Sequence, residues 1–128
     1  MTEYLVSLTI DGAPPSMKNQ RRIVRNRATG KPMSIRSEDA LSYEQAFMLQ
    51  VPPKCRIGYE GPVSVRCRIW YPSRRQDLDM EYLKDLLQRV GVLKNDRQVV
   101  HQEAWKGLDR ERPRVHLTIS KWEDRVDS

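Results

Sequence analysis

The stretch Ser73–Val100, "SRRQDLDMEYLKDLLQRVGVLKNDRQVV", decides how the rest of the chain is read. Leu83, Leu86, Leu87 and Val90 fall at i, i+3, i+4 and i+7, while Lys84, Asp85, Gln88 and Arg89 take the opposite side. That period defines an amphipathic helix starting near Asp79, and Gly91 supplies the left-handed residue that ends it. Upstream, "VSVRCRIWY" alternates Val63, Val65, Cys67, Ile69 and Tyr71 against Ser64, Arg66, Arg68 and Trp70, which makes it the clearest strand in the chain. Downstream, "VVHQEAW" and "VHLTIS" (Val115 to Ser120) read as two further strands, joined by a loop holding Gly107 and Pro113.

Outside this unit, "EYLVSLTI" (Glu3 to Ile10) alternates as a first strand that "DGAPPS" stops. From Met17 to Arg36 no clean period appears. Lys18, Arg21, Arg22, Arg25, Arg27, Lys31 and Arg36 occur there without one acid, which predicts a long basic loop or a hairpin turned at "ATGK". Ser37 reads as an N-cap with Glu38 and Asp39 in the first turn, and Ala40, Leu41, Tyr43, Phe47 and Met48 give a buried stripe through about Leu49. The order β, basic loop, α, β, α, β, β predicts an α+β fold: one domain over 1–122 with a mixed sheet of about four strands packed with two helices, and a disordered tail over 123–128.

At 128 residues the chain fits one domain with a modest core. Its 23 Lys and Arg against 17 Asp and Glu give a formal charge of +6, which favours an anionic partner such as nucleic acid or a membrane surface. No run approaches a membrane span, and "MTEYLVSLTI" lacks the form of a signal peptide, so a cytoplasmic protein is expected. Cys55 and Cys67 have neither zinc nor disulfide spacing and read as ordinary thiols.

Against this basic background, the acids of the opening stretch carry the chemistry. Asp77 and Asp79 sit where a strand has ended and a helix begins, and residues two apart on an extended or turning segment point to the same side. Two such carboxylates repel, and a divalent cation relieves the repulsion. The plainer reading is that they cap the helix. Asp96, in the turn before the next strand, adds a third carboxylate. Three converging acids form an all-oxygen site suited to Mg²⁺ or Mn²⁺. A five-residue return, "VLKND", makes closure within one subunit just feasible, and completion by a partner subunit is the alternative. Framed by Arg74, Arg75 and the basic loop, such a site would hydrolyse a phosphodiester while Lys and Arg hold neighbouring phosphates.

"RRQDLD", the amphipathic helix, Gly91 and "NDRQVV", together with the early "PPSMKNQRR", resemble the RusA family of Holliday-junction resolvases, small endonucleases common on phages and prophages. The resemblance runs from about Tyr4 to Ile119. It implies metal-binding catalytic acids at Asp77, Asp79 and Asp96, a basic residue on the strand after them at Lys106, which is a candidate for the charge-stabilising catalytic role, Mg²⁺ dependence, a homodimer, and paired incisions in four-way DNA. Two positions depart from the family pattern: Met80 stands where Asn is usual, and Leu83 where a catalytic lysine is usual. Lys84, about 100° further around an ideal helix, takes that role only if the helix start is shifted; otherwise it is a solvated lysine.

The expected activity is therefore resolution of four-way junctions, with Lys18, Arg21, Arg22, Arg25, Arg27, Arg74 and Arg75 on the DNA. Its rivals are a related flap or fork nuclease and a noncatalytic basic DNA-binding module whose site Met80 and Leu83 have degraded. His101 and His116 read as surface or partly satisfied histidines. Trp70 is placed on a base or at a dimer interface, and Trp105 and Trp122 as packing residues.

Overall fold

A computed structural model gives residues 4–15, 38–74 and 78–123 in full, and Arg21–Arg25 and Pro32–Arg36 as backbone. Alternation at the start of the chain becomes β1 (Val6–Asp11), in which Val6, Leu8 and Ile10 are buried and their neighbours exposed. The basic stretch is a hairpin, β2 (Arg21–Arg25) with β3 (Pro32–Arg36). Arg25 pairs with Pro32, which leaves 26–31, including "ATGK", as the connection. Lys18 and Arg27 lie outside the described residues, as do Ser37 and the tail 124–128; of Arg21, Arg22 and Arg25 only the backbone is described.

Helix α1 (Glu38–Gln50) buries Ala40, Tyr43, Glu44 and Phe47. Leu41, expected in the stripe, is 49% exposed, and Glu44 takes the buried position instead. A carboxylate is tolerated there because Arg89 reaches it at 2.8 Å from α2 (Met80–Arg89). Helix α2 lies as its period predicts: Leu83, Leu86 and Leu87 are fully buried, and Gly91 adopts φ +89°. Burying three leucines contributes on the order of 2 kcal/mol each.

Strands β4 (Val63–Tyr71), β5 (Val99–Leu108) and β6 (Arg114–Lys121) complete a four-stranded mixed sheet in the order β1-β6-β4-β5. β6 is antiparallel to both β1 and β4, while β4 and β5 run parallel, from Val63 beside Val99 to Tyr71 beside Leu108. A parallel pair needs a crossover, and α2 is that crossover. Val65, Cys67 and Ile69 of β4 join Val115, Leu117 and Ile119 of β6 and the buried faces of both helices in one core. On the opposite face stand Arg66, Arg68, Trp70, Trp105, Arg114 and His116, with no helix over them among the described residues.

Cys55 and Cys67 are free and buried, as the sequence reading requires. Burial pushes the Cys67 thiol up to about 12, so it stays protonated and unreactive in the folded chain. The Tyr43 hydroxyl is also held protonated by burial, and it has no hydrogen-bond partner among the described residues. No described helix is long and apolar enough to cross a membrane.

Candidate functional site

The parallel strands β4 and β5 end side by side, and the space beyond their carboxyl ends is where open α/β sheets bind ligands. The chain leaves β4 at this end of the sheet and enters α2 after Asp79. Asp79 is the N-cap of α2, its Oδ1 accepting the Tyr82 N–H at 3.1 Å. The capping reading is therefore correct for this oxygen, and it leaves the second carboxylate oxygen available. Arg74 and Lys106 line one open hollow of about 330 Å³ with Gly107 and Leu108 at the end of β5. Asp77 and Arg75 lie in 75–77, outside the described residues.

The first turn of α2 shows what the two departures do. Met80 is buried and offers no polar group beside Asp79, and Leu83 is fully buried in the core. Lys84 is not the solvated residue of the plainer reading. Its side chain is only 13% exposed and its Nζ lies 2.7 Å from Glu81 Oε1, which draws it back toward the helix start.

At the other end of α2 the chain is pinned by side chain to backbone hydrogen bonds. Gln98 Oε1 accepts from the N–H groups of Lys94 and Asn95 (2.9 and 2.7 Å), while its Nε2 donates to the carbonyls of Tyr59 and Gly61. Asn95 caps the 3-10 turn Asp96–Gln98 by accepting from Arg97 N–H. The Asp96 N–H itself donates to Gln88 Oε1, in the last turn of α2, at 3.0 Å. Gln98 was visible in "NDRQVV", but its role as the bolt of this turn was not.

These contacts place Asp79 and Asp96 at opposite ends of α2. Nine residues separate Asp79 from Gln88, which is roughly 13 Å of helix axis. Within one chain Asp96 therefore lies near the far end of α2 from Asp79, because the crossover returns the chain to the amino end of the sheet before β5 begins. Among the described residues no three His, Cys, Asp or Glu side chains gather as a metal group. Asp79 and Asp96 have no cationic partner among those residues and are both half-buried, so each offers hard oxygen donors of the kind Mg²⁺ or Mn²⁺ takes.

The histidines behave as expected: His101 and His116 Nδ1 meet the hydroxyls of Ser64 (2.8 Å) and Thr9 (3.0 Å). Trp70 lies against its own sheet, with the Arg114 guanidinium 4.0 Å from the ring centroid and Gly107 so close that a Cβ there would meet its ring at 2.8 Å. Trp105 and Trp122 depart from the packing expectation. Trp105 is 43% exposed, with Arg68 5.6 Å from its ring; Trp122 is exposed and stacks on His101.

A small basic α+β chain with Arg74 and Lys106 lining a hollow beyond a parallel strand pair has the make-up of a phosphate-binding protein. The family model described as Endodeoxyribonuclease RusA matches residues 12–120, most of the chain. The chain belongs to the RusA endodeoxyribonuclease family, whose members act on branched DNA junctions and are generally dependent on a divalent metal. No curated protein matches the sequence.

Proposed function

We propose that this chain is a Mg²⁺-dependent endonuclease that resolves four-way DNA junctions as a homodimer. The observation that carries the reading is the hollow that Arg74 and Lys106 line beyond the end of β5, in a chain of the RusA family whose Asp79 opens the crossover helix α2. Asp77 and Asp79 hold the ion from one subunit. Asp96 serves the site from a second copy, because in its own chain it faces the far end of α2. When bound, the cation activates water and stabilises charge on the phosphate.

The remaining roles follow from charge and position. Arg74 and Lys106 grip the phosphates flanking the scissile bond, and Lys84, held toward the helix start by Glu81, sits closest to the missing lysine of the first turn. Arg75, Lys18, Arg21, Arg22, Arg25 and Arg27 add sequence-independent contacts to the DNA arms. A four-way junction has approximate two-fold symmetry, so a two-fold dimer offers two equivalent sites to two equivalent strands.

The test is cleavage in Mg²⁺ of a synthetic four-way junction beside a flap, a fork and a linear duplex. Paired, symmetric incision of the junction is expected. Preferential cutting of the flap or fork would move the activity to those substrates, and tight binding with no cutting of any substrate would leave a DNA-binding module. Mixing Asp79→Asn with Asp96→Asn chains tests the shared site: each variant alone is inactive, and the mixed dimer regains one intact site and nicks. Absence of rescue in a verified mixed dimer would put all three acids in one chain.

A further inference from the structure

We infer that the face of the sheet turned away from the helices is a second DNA-binding surface, one that takes an unpaired strand by stacking its bases. This surface lies apart from the cutting site proposed above and takes from that reading only that the nucleic acid is DNA. The strand register sets Arg68 between Trp105 on β5 and His116 on β6, and Trp70 between Gly107 and Arg114. Arg66 stands one row further back, between Glu103 and Thr118. Among the described residues no helix covers these rows, and Tyr4, Arg66, Arg68, Trp70, Trp105 and His116 line an open hollow of about 260 Å³ over them.

The parts of that hollow match what an unpaired strand presents. Trp70 and Trp105 stand one strand spacing and two residues apart, about 8 Å. The Arg68 guanidinium fills the gap, 5.8 and 5.6 Å from the two ring centroids. Gly107 has no side chain to lift the Trp70 ring off the sheet, and the Arg114 guanidinium lies 4.0 Å from that ring's centroid. Planar rings and guanidinium groups set out on an open sheet are a platform on which bases stack. Trp105 is 43% exposed, which leaves ring surface for a base.

Charge selects the occupant. Arg66 is engaged by Glu103 at 3.2 Å and Arg114 by Asp109 at 2.9 Å, but Arg68, at the centre, has no carboxylate partner among the described residues. An apolar protein surface laid over the face would bury that charge unanswered, whereas a phosphate answers it. A duplex supplies phosphates too, but its bases are stacked inside and leave the tryptophans unused. A single strand offers both. The alternation of β5 keeps the two surfaces apart: Trp105 faces this side, while Lys106, in register with the core residue Ile69, faces the other and lines the hollow with Arg74. A strand unpaired at a branch point thus finds the platform across the thickness of one β-strand from the phosphate-gripping hollow.

All three tryptophans of the chain lie on or beside this face, Trp122 through its stacking on His101, so tryptophan fluorescence reads it directly. A thymidine oligonucleotide of about 12 residues, added without divalent metal, is expected to quench the parent's fluorescence. By anisotropy of labelled strands, an abasic strand of the same length should bind the parent about tenfold more weakly. Trp105→Ala should lose about tenfold in affinity for the oligonucleotide and nothing for the abasic strand, with Trp105→Phe between it and the parent. Arg68→Gln should make the salt dependence of oligonucleotide binding shallower by about 0.7. Equal binding of the two strands by the parent overturns the platform, as does an unchanged affinity in Trp105→Ala. So does a Trp105→Ala chain whose oligomeric state by light scattering differs from the parent's, since a second copy then occupies the face. If Trp105→Ala fails to fold, Arg68→Gln decides, an unchanged salt slope excluding the platform. Cleavage of a fully paired four-way junction keeps the two readings apart. A parent that cuts it while binding both strands equally loses only the platform, and one that binds through Trp105 without cutting keeps the platform and loses the nuclease.

Discussion

The two ends of α2 are built in opposite ways. At its start, Asp79 is tied to the fold by one helix-capping hydrogen bond, and the chain before it leaves the sheet at Tyr71. At its finish, Gln98 alone makes four hydrogen bonds to backbone, Asn95 and Gln88 add two more, and Lys94 pairs with Glu60. The difference separates two demands that a single motif hides. In the proposed site, acids that would meet a cation and a phosphate need free oxygens, whereas a residue that would serve a second copy must be held at a fixed position.

The sharpest way to break this contrast is Asp79→Asn. Asparagine caps a helix as well as aspartate does, so stability is expected to change by less than about 0.5 kcal/mol. Cleavage should fall on the order of 1,000-fold, because the charged donor is lost. A thermal melt read beside a junction-cleavage rate checks both halves. If activity survives, the start of α2 is only a cap.

Gln98→Ala should behave in the reverse sense. Two N–H and two C=O groups lose their partner, a cost of about 3 kcal/mol once water partly replaces it. Urea titration should show the loss, together with a smaller fall in cleavage as Asp96 loosens. An unchanged midpoint would mean that the turn is held by packing alone.

Arg89→Ala lies between the two ends and should cost about 2 kcal/mol, since it removes a charged partner from the buried Glu44 carboxylate. Replacing Arg89 and Glu44 together by apolar residues should recover most of that loss in the same urea titration.

The smallest effect belongs to Glu60 and Lys94, both fully exposed. The hydrogen bond and charge of Lys94 hold the Glu60 carboxyl below its ordinary 4.5. A lowered carboxyl stabilises the fold above its ordinary value and stops doing so as pH falls through the folded value. Glu60→Gln should therefore differ from the parent only slightly at pH 7 and not at all near pH 3, as read by paired thermal melts. A large effect at neutral pH would show that this surface pair, rather than Gln98, anchors the turn.

How much of this was legible depends on how far apart the interacting residues lie in the chain. β4 and α2 were plain because each announces its period within ten residues. The hairpin was visible only as a turn signal, since Arg-rich strands carry no apolar alternation. Glu44 defeated the reading of α1 because its partner, Arg89, stands 45 residues away on another helix. The acids proposed for the site stand out in "DLD" and "NDRQ". Their placement was not, because it turns on whether β5 runs parallel or antiparallel to β4, and nothing local to Asp96 encodes that choice.

The position of β6 has a consequence for how the chain is made. The last described strand inserts between the first strand and β4, so β1 has no described strand beside it until β6 arrives. A nascent chain can form α2 and the β4–β5 pair as it emerges, yet β1 must wait for nearly the whole sequence to be synthesised. During that interval Val6, Leu8 and Ile10, buried in the folded chain, lack the cover of β6, and an apolar segment of that kind is one that chaperones hold.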